Sequence, residues 1–409
     1  MKKISFLIIT GALLSGCSVN EVITAEETEL IVAEAPPEEG MLLDIGVIQF
    51  ADGVPEDNDP LDTRVFEEIR AAESRYLAYH LKKTLQGTGH WGAVRVIPSR
   101  NAFTDVVISG AIAESDGEFV KLDVSISDAR GMSWYNKSYS TQTGVSSYSV
   151  NRDRRQDPYQ KIFNDIANDL QAYVAQMEPK AVSDIRDVSE LQFFSDMSPA
   201  AYGEHLATGE DGYVKAIRLP AENDPAVDRL RQIRERDRLV VDTLNEHYAN
   251  FYYGIALPYH SWRKTAREES INYRQVKRSA NLQTLMGAVV LAGSLAVDTS
   301  SGGKQTRNIN RSLQAIGIQQ GWNSMFGGIS RRSEANIHLE SIKELSESFG
   351  AEAAPMVISV DGQARRLTGT AAAQYESWRS ILKQIYESET GFVEQVEEAP
   401  PERVPEPTG

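Results

Sequence analysis

Few side chains in this sequence are of the types that do chemistry, and their spacing rules out most of what those types offer. Cys17 is the only cysteine among 409 residues, so no disulfide forms within the chain. The six histidines are scattered. His247 and His260, beside Tyr248, Tyr252, Tyr253 and Tyr259, make the one dense polar-aromatic cluster. Their separation does not place two ring nitrogens on one helix face, so packing with satisfied imidazoles is the stronger reading than a metal site. There is no G-x-S-x-G elbow and no H-E-x-x-H pair. Gly87-Thr88-Gly89-His90-Trp91-Gly92 spells the dinucleotide fingerprint. That chemistry needs the glycines to leave a strand and open a helix, and here a helix precedes and a strand follows. Gly303-Lys304 fails as a phosphate loop: Gln305 replaces Ser/Thr, and position 298 is Asp. Asp57, Asn58 and Asp59 lack the rest of a calcium loop and read as a turn. The many carboxylates include potential acid–base pairs, but the sequence does not show which of them meet. No catalytic residue, metal ligand or cofactor is therefore expected.

The lone cysteine stands at the end of an ordered leader. Lys2 and Lys3 are basic, Phe6 to Leu14 is apolar and too short to span a bilayer, and Ser15-Gly16 are small. The sequence Leu14-Ser15-Gly16-Cys17 resembles the lipobox of bacterial lipoproteins. The resemblance implies cleavage before Cys17, acylation of its thiol and new amine, and stable anchoring, since several acyl chains exceed the marginal grip of one. Ser18, where Asp would favour inner-membrane retention in that family, implies the periplasmic face of the outer membrane.

The elements that follow define the frame. Net charge is −16, which gives no general attraction for nucleic acid or anionic lipid. Residues 1–16 are read as signal peptide and 17–41 as an acidic, disordered tether with Pro36-Pro37 and no basic residue. A first domain, 42–176, starts with an apolar strand, Ile45 to Phe50. A helix from about Thr63 to Gln86 buries Phe66, Ile69, Leu77, Leu81 and Leu85, and Gly87 ends it. Strands follow at Ala93 to Ile97, around Val106 to Ile112, at Val120 to Ile126 with strict alternation, and at Met132 to Ser140. A second helix opens with Asp157 as N-cap and Pro158 at its first turn. The order predicts an α+β fold: a mixed four- to five-stranded sheet with two helices on one face.

Glu73-Ser74-Arg75-Tyr76 through Leu85, Trp91-Gly92-Ala93-Val94-Arg95-Val96 and Asp105 to Gly110 resemble the auxiliary lipoproteins of ABC-type lipid transporters. At the level of fold the same layout resembles curli-secretion and synthase-activator lipoproteins. The resemblance spans about residues 42–176 and implies an envelope-assembly role with a protein partner.

Residues 177–225 read as a connecting region, and 226–390 as a mostly helical domain carrying one β-hairpin. A helix runs from Asp224-Pro225 to about Tyr253. Its Arg229, Arg231, Arg234, Arg236 and Arg238 interleave with Asp228, Glu235, Asp237 and Asp242, so its outer side reads as a solvated, salt-bridged face. Pro258 begins another helix, which enters the small apolar run Leu285 to Val297, about 20 Å of helix against roughly 30 Å of hydrocarbon. A Gly-bearing helix follows across a turn. Gly287, Gly293, Gly317 and Gly321 are the candidate membrane or oligomer contacts of this hairpin, 285–326, because small residues let helix backbones approach. Asp361-Gly362 centres a β-hairpin at 356–368, Thr370 caps the last helix, and 391–409 is an acidic disordered tail. The expectation is an outer-membrane-anchored, non-enzymatic binding or scaffold component with an envelope protein partner, no nucleic acid, and a capacity to self-associate. The alternatives are an accessory subunit of a lipid or envelope-polymer transport system, and a hydrolase with an unrecognised carboxylate site.

Overall fold

The structure, a computed structural model, describes residues 27–54, 66–149, 156–221, 223–294, 340–345, 347, 356–360 and 363–390. Cys17, Gly317, Gly321, the turn at Asp57 to Asp59, the second half of the Gly-rich hairpin and the acidic tail lie outside them.

The fold is α+β. A five-stranded mixed sheet carries the order β2-β1-β3-β4-β5, with β1 Ile45–Ile48, β2 Val94–Ile97, β3 Val106–Ser115, β4 Phe119–Asp128 and β5 Ser133–Gln142. Strand β1 pairs in parallel with both β2 and β3, and the rest is an antiparallel meander. On β4, Val120, Leu122, Val124 and Ile126 are buried while the residues between them face water, as period-two alternation requires. Helices α1 (Glu67–Thr88) and α2 (Gln160–Val174) cover the apolar face. The chain turns after α1 at Gly89, whose φ of 70° is the left-handed cap, so the glycine that ends this helix is Gly89 rather than Gly87. Helix then strand is also the order that disqualifies the 87–92 fingerprint.

Three parts of the remainder depart from the expected plan. The region read as a connector contains α3 (Pro179–Met197), the short α4 (Pro199–Tyr202) and a two-stranded hairpin, β6 Leu206–Thr208 with β7 Val214–Ala216. The expected break before Pro258 is absent: α5 runs unbroken from Pro225 to Ser294, 70 residues, about 105 Å at 1.5 Å per residue. A mid-helix proline costs about 3 kcal/mol. Ile255, Tyr259 and Trp262, all buried on either side of it, hold the helix to the body and offset that cost. Finally, residues 28–33, expected in the disordered tether, are strapped to the body. Asn164 and Asn168, one turn apart on α2, bond the carbonyls of Thr28 and Glu29 at 2.7 and 2.8 Å, Ile31 N–H donates to Asn168, and Ala33 N–H donates to Thr88.

The hairpin β8 (Met356–Val360) with β9 (Gln363–Leu367) forms in the expected register, Val360 opposite Gln363. Helix α6 (Ala371–Thr390) starts where Thr370 accepts the Ala373 N–H at 3.2 Å. One hydrophobic cluster runs from Leu43 to Tyr386, so the sheet and the helices expected to form a second domain share a core. No helix among the described residues is long and apolar enough to cross a membrane.

Candidate functional site

The densest polar chemistry lies where α5 crosses α1 and the start of α2. Glu73, Tyr76, His80 and Thr84 follow one another at helical spacing, which puts them on one buried face of α1. Ser115 comes from the end of β3, Asp157, Tyr159 and Gln160 from the entry to α2, and Tyr252, Tyr259 and Arg263 from α5.

Arg263 and Asp157 form the centre. The guanidinium donates twice, Nη1 to Oδ1 at 2.8 Å and Nη2 to Oδ2 at 2.9 Å, and both side chains are almost wholly buried. Tyr76 donates to Oδ2 at 2.8 Å, and the Tyr159 N–H donates to Oδ1 at 2.8 Å. Each Asp157 oxygen therefore accepts two bonds, which leaves a carboxylate no ready lone pair for a substrate. Burial alone would raise its pKa. The Arg263 guanidinium overrides this and holds the carboxyl well below the usual range. Arg263 lies over the rings of Tyr259, Tyr159 and Tyr76 at 4.1, 4.8 and 5.6 Å. Asp157 was expected as the N-cap of α2, but α2 begins at Gln160 with Tyr159 at the cap. Asp157 accepts the Tyr159 N–H just ahead of the helix, and its main partner is a cation 106 residues away, a pairing that no local pattern announces.

Two arms leave this centre. In one, the Tyr252 hydroxyl meets His80 Nδ1 at 2.7 Å, and His80 Nε2 meets Gln160 Oε1 at 2.8 Å. Gln160 spends its amide N–H groups on Asn164 and Thr84, so its oxygen accepts and His80 Nε2 carries the proton. Burial lowers the His80 pKa against the pull of Asp157, which favours this neutral ring. In the other arm, Glu73 Oε1 accepts from Ser115 at 2.6 Å and from Tyr259 at 2.7 Å. Its Oε2 makes no hydrogen bond, the nearest cation being Arg70 at 3.9 Å. Burial raises the Glu73 pKa, more than Arg70 and the hydroxyls lower it.

The polar-aromatic cluster expected around His247 and His260 thus exists, but with a different histidine at its heart. Tyr252 and Tyr259 join it; His260 packs on Tyr148 at 5.4 Å. Sequence reasoning missed Glu73, His80, Asp157 and Arg263 as a set, because they lie on three separate helical regions. No group of three His, Cys, Asp or Glu residues suited to a metal occurs among the described residues.

A second fastening lies further toward the start of α5. Asp237 accepts from Tyr375 at 3.0 Å and Trp378 at 3.1 Å on α6, with Arg379 at 3.6 Å. Arg379 also pairs with Asp196 and lies against the rings of Phe103 and Phe193 at 5.1 and 5.0 Å. Arg234, expected on a solvated face, is buried and donates to the Phe103 carbonyl at 2.9 Å and Ser189 at 2.8 Å. Arg231, Arg236 and Arg238 are ion-paired, but chiefly with acids of other elements, Glu190, Glu389 and Asp44; of the interleaved acids, Glu235 meets Arg238 and Asp228 lies 3.9 Å from Arg231. Asn245 seals the edge of β2: its amide accepts the Val96 N–H at 2.8 Å and donates to the Val96 carbonyl at 2.9 Å, as a neighbouring strand would.

A groove of about 580 Å³, open to solvent, runs between α3 and β7 and is lined by Lys180, Asp184, Asp187 and Arg218 with Ile217 and Leu219. Asp184 is paired with Lys180 at 2.8 Å, and Asp187 is raised, by burial first and then by Asp184. Gly287 and Gly293 fall within the last turns of α5. No protein-family model matches the chain, and no curated protein or solved structure matches it either.

Proposed function

We propose that this chain is a lipid-anchored envelope protein that works by binding a partner, its α+β body serving as a rigid mount for the long helix α5. The anchor rests on Leu14-Ser15-Gly16-Cys17 and the absence of any other cysteine. The binding role rests chiefly on one observation: Asp157, at the chemically richest place in the fold, has both carboxylate oxygens filled by Arg263, Tyr76 and the Tyr159 N–H. Those bonds fasten α5 and leave Asp157 no ready lone pair for a substrate. Mass spectrometry of the mature amino terminus tests the anchor. The expected species begins at Cys17 with acyl chains, and an unmodified thiol there refutes it. Crosslinking in intact cells tests the binding role, with one reproducible envelope partner expected and none contradicting it.

A second reading has its own support. Asp184 and Asp187 line an open groove beside Lys180 and Arg218, the pair of acids a carboxylate hydrolase would need. Turnover of an ester or glycoside by the purified chain, abolished by Asp187→Asn, would replace the binding role with that activity.

A further inference from the structure

The two edges of the main sheet are treated differently. The β2 edge is closed by α5 through Asn245 and the bidentate pair of Arg95 with Asp242, at 2.6 and 3.0 Å. The β5 edge pairs with β4 on one side, and among the described residues no strand pairs with its other side. An open edge is a template for another strand, and proline, charge (Lys above all), a bulge or shortness blunts it. β5 has no proline, its bulge falls at its first residues, and its single charge, Lys137, is drawn to Asp169 of α2 at 2.5 Å.

The geometry says which backbone groups are free. Thr143 N–H donates to the Glu118 carbonyl at 2.8 Å, so in this register the odd-numbered residues of β5 face β4. A bulge at Trp134, where the register shifts between Ile126 and Ser127, marks the start of the regular stretch. Beyond it the N–H and C=O groups of Asn136, Ser138 and Ser140 point away from the sheet. Ser138 is the midpoint of the regular stretch 135–141, and the side chains at 136, 138 and 140 are short and exposed.

We propose that the β5 edge pairs with the β5 edge of a second copy of this chain, antiparallel, about a two-fold axis at Ser138, to make one ten-stranded sheet. Ser138 then lies opposite Ser138, and Asn136 opposite Ser140. Lys137 lies opposite Tyr139, whose hydroxyl already donates to Asp169 at 2.8 Å. Each Lys137 thereby faces a phenol ring and the carboxylate behind it on the other copy, and no like charges meet across the axis. A shift that set Lys137 against Lys137 would lose this, so charge selects the register. The pairing needs neither the anchor nor the Gly-rich hairpin.

The test uses the full chain carrying Cys17→Ser, which leaves no thiol. Sedimentation at micromolar concentration should give twice 45.3 kDa, and Ser138→Pro, which removes an outward N–H and the exposed hydroxyl bond from Ser138 to Asp123, should give the monomer with unchanged circular dichroism. Ser138→Cys should oxidise to a covalent dimer, since directly opposed residues lie about 5.5 Å apart at Cα, within disulfide reach. Asn136→Cys, offset from its own copy, should not crosslink, whereas Asn136→Cys with Ser140→Cys should. A monomer before any change at β5, a dimer that persists in Ser138→Pro, or equal crosslinking by Ser138→Cys and Asn136→Cys overturns the proposal. Loss of dimer by Ser138→Pro together with loss of the folded signal also counts against it, because a free edge tolerates proline.

Discussion

Asp157 and Asp237 are both buried aspartates beside an arginine, both fasten α5, and their carboxyls are displaced in opposite directions. Asp157 is held low because Arg263 meets it with two short, parallel bonds. Asp237 is raised because burial dominates: its arginine stands off at 3.6 Å and is shared with Asp196, and a phenol and an indole do the close bonding. The difference teaches that residue types alone do not set the charge state of a buried pair. The number and directness of the bonds to the ionised form do so. The Asp157 pair reads as a full ion pair whose members cannot be separated cheaply. The Asp237 site reads as a hydrogen-bonded acid that tolerates neutrality.

The comparison is most exposed to failure at Arg263. Arg263→Met strands a buried carboxylate and should cost about 3–5 kcal/mol in urea unfolding. A loss below about 1 kcal/mol would show that the pair contributes no more than a surface contact does. The seat of Arg263 offers an orthogonal check. Gly117 turns β3 into β4 with φ of 83°, and a Cβ there would lie 2.3 Å from the Arg263 carbonyl oxygen. Gly117→Ala should therefore cost about 1–3 kcal/mol from backbone strain alone, with a lowered melting temperature as the readout.

The titration directions sharpen the contrast. A carboxyl lowered in the fold contributes stability that is present above its unfolded pKa, about 3.9, and is lost as pH falls through the folded value. A raised carboxyl contributes stability below its unfolded pKa and loses it as pH rises through the folded value. Asp237→Asn should then change neutral-pH stability by no more than about 1 kcal/mol, one ordinary hydrogen bond, and compare less favourably with the parent as pH falls toward 4. Asp157→Asn should be more damaging at pH 7 than in acid, and parallel curves for the two variants would erase the distinction. At the small end stands the exposed pair Arg231–Glu190. Arg231→Ala should move stability by about 0–1 kcal/mol, less at high salt.

Much of the frame is legible along the chain because it is local. Strict alternation from Val120 to Ile126, the helix-period stripe of Ile69, Leu77, Leu81 and Leu85, and the Thr370 cap each need only a few consecutive residues, and each forms. The reading failed where a local signal met a distant partner. Pro258 looked like a helix start, yet buried contacts on both of its sides carry α5 straight through. Arg234 looked solvated among alternating charges, yet the Phe103 carbonyl awaits it. That carbonyl belongs to a residue whose φ of 47° is unusual outside glycine, a conformation the sequence does not display.

Composition and spacing alone determined the α+β order of elements, the missing disulfide and the strongly acidic balance, since these depend on residue counts and on short-range periodicity. Which acid meets which base was decided only in three dimensions. Arg263 and Asp157 are 106 positions apart, and His80 and Tyr252 are 172 apart. Distances of that kind are set by how α5 packs across α1 and the sheet, and the strength of an ion pair depends on the geometry and dryness of its seat.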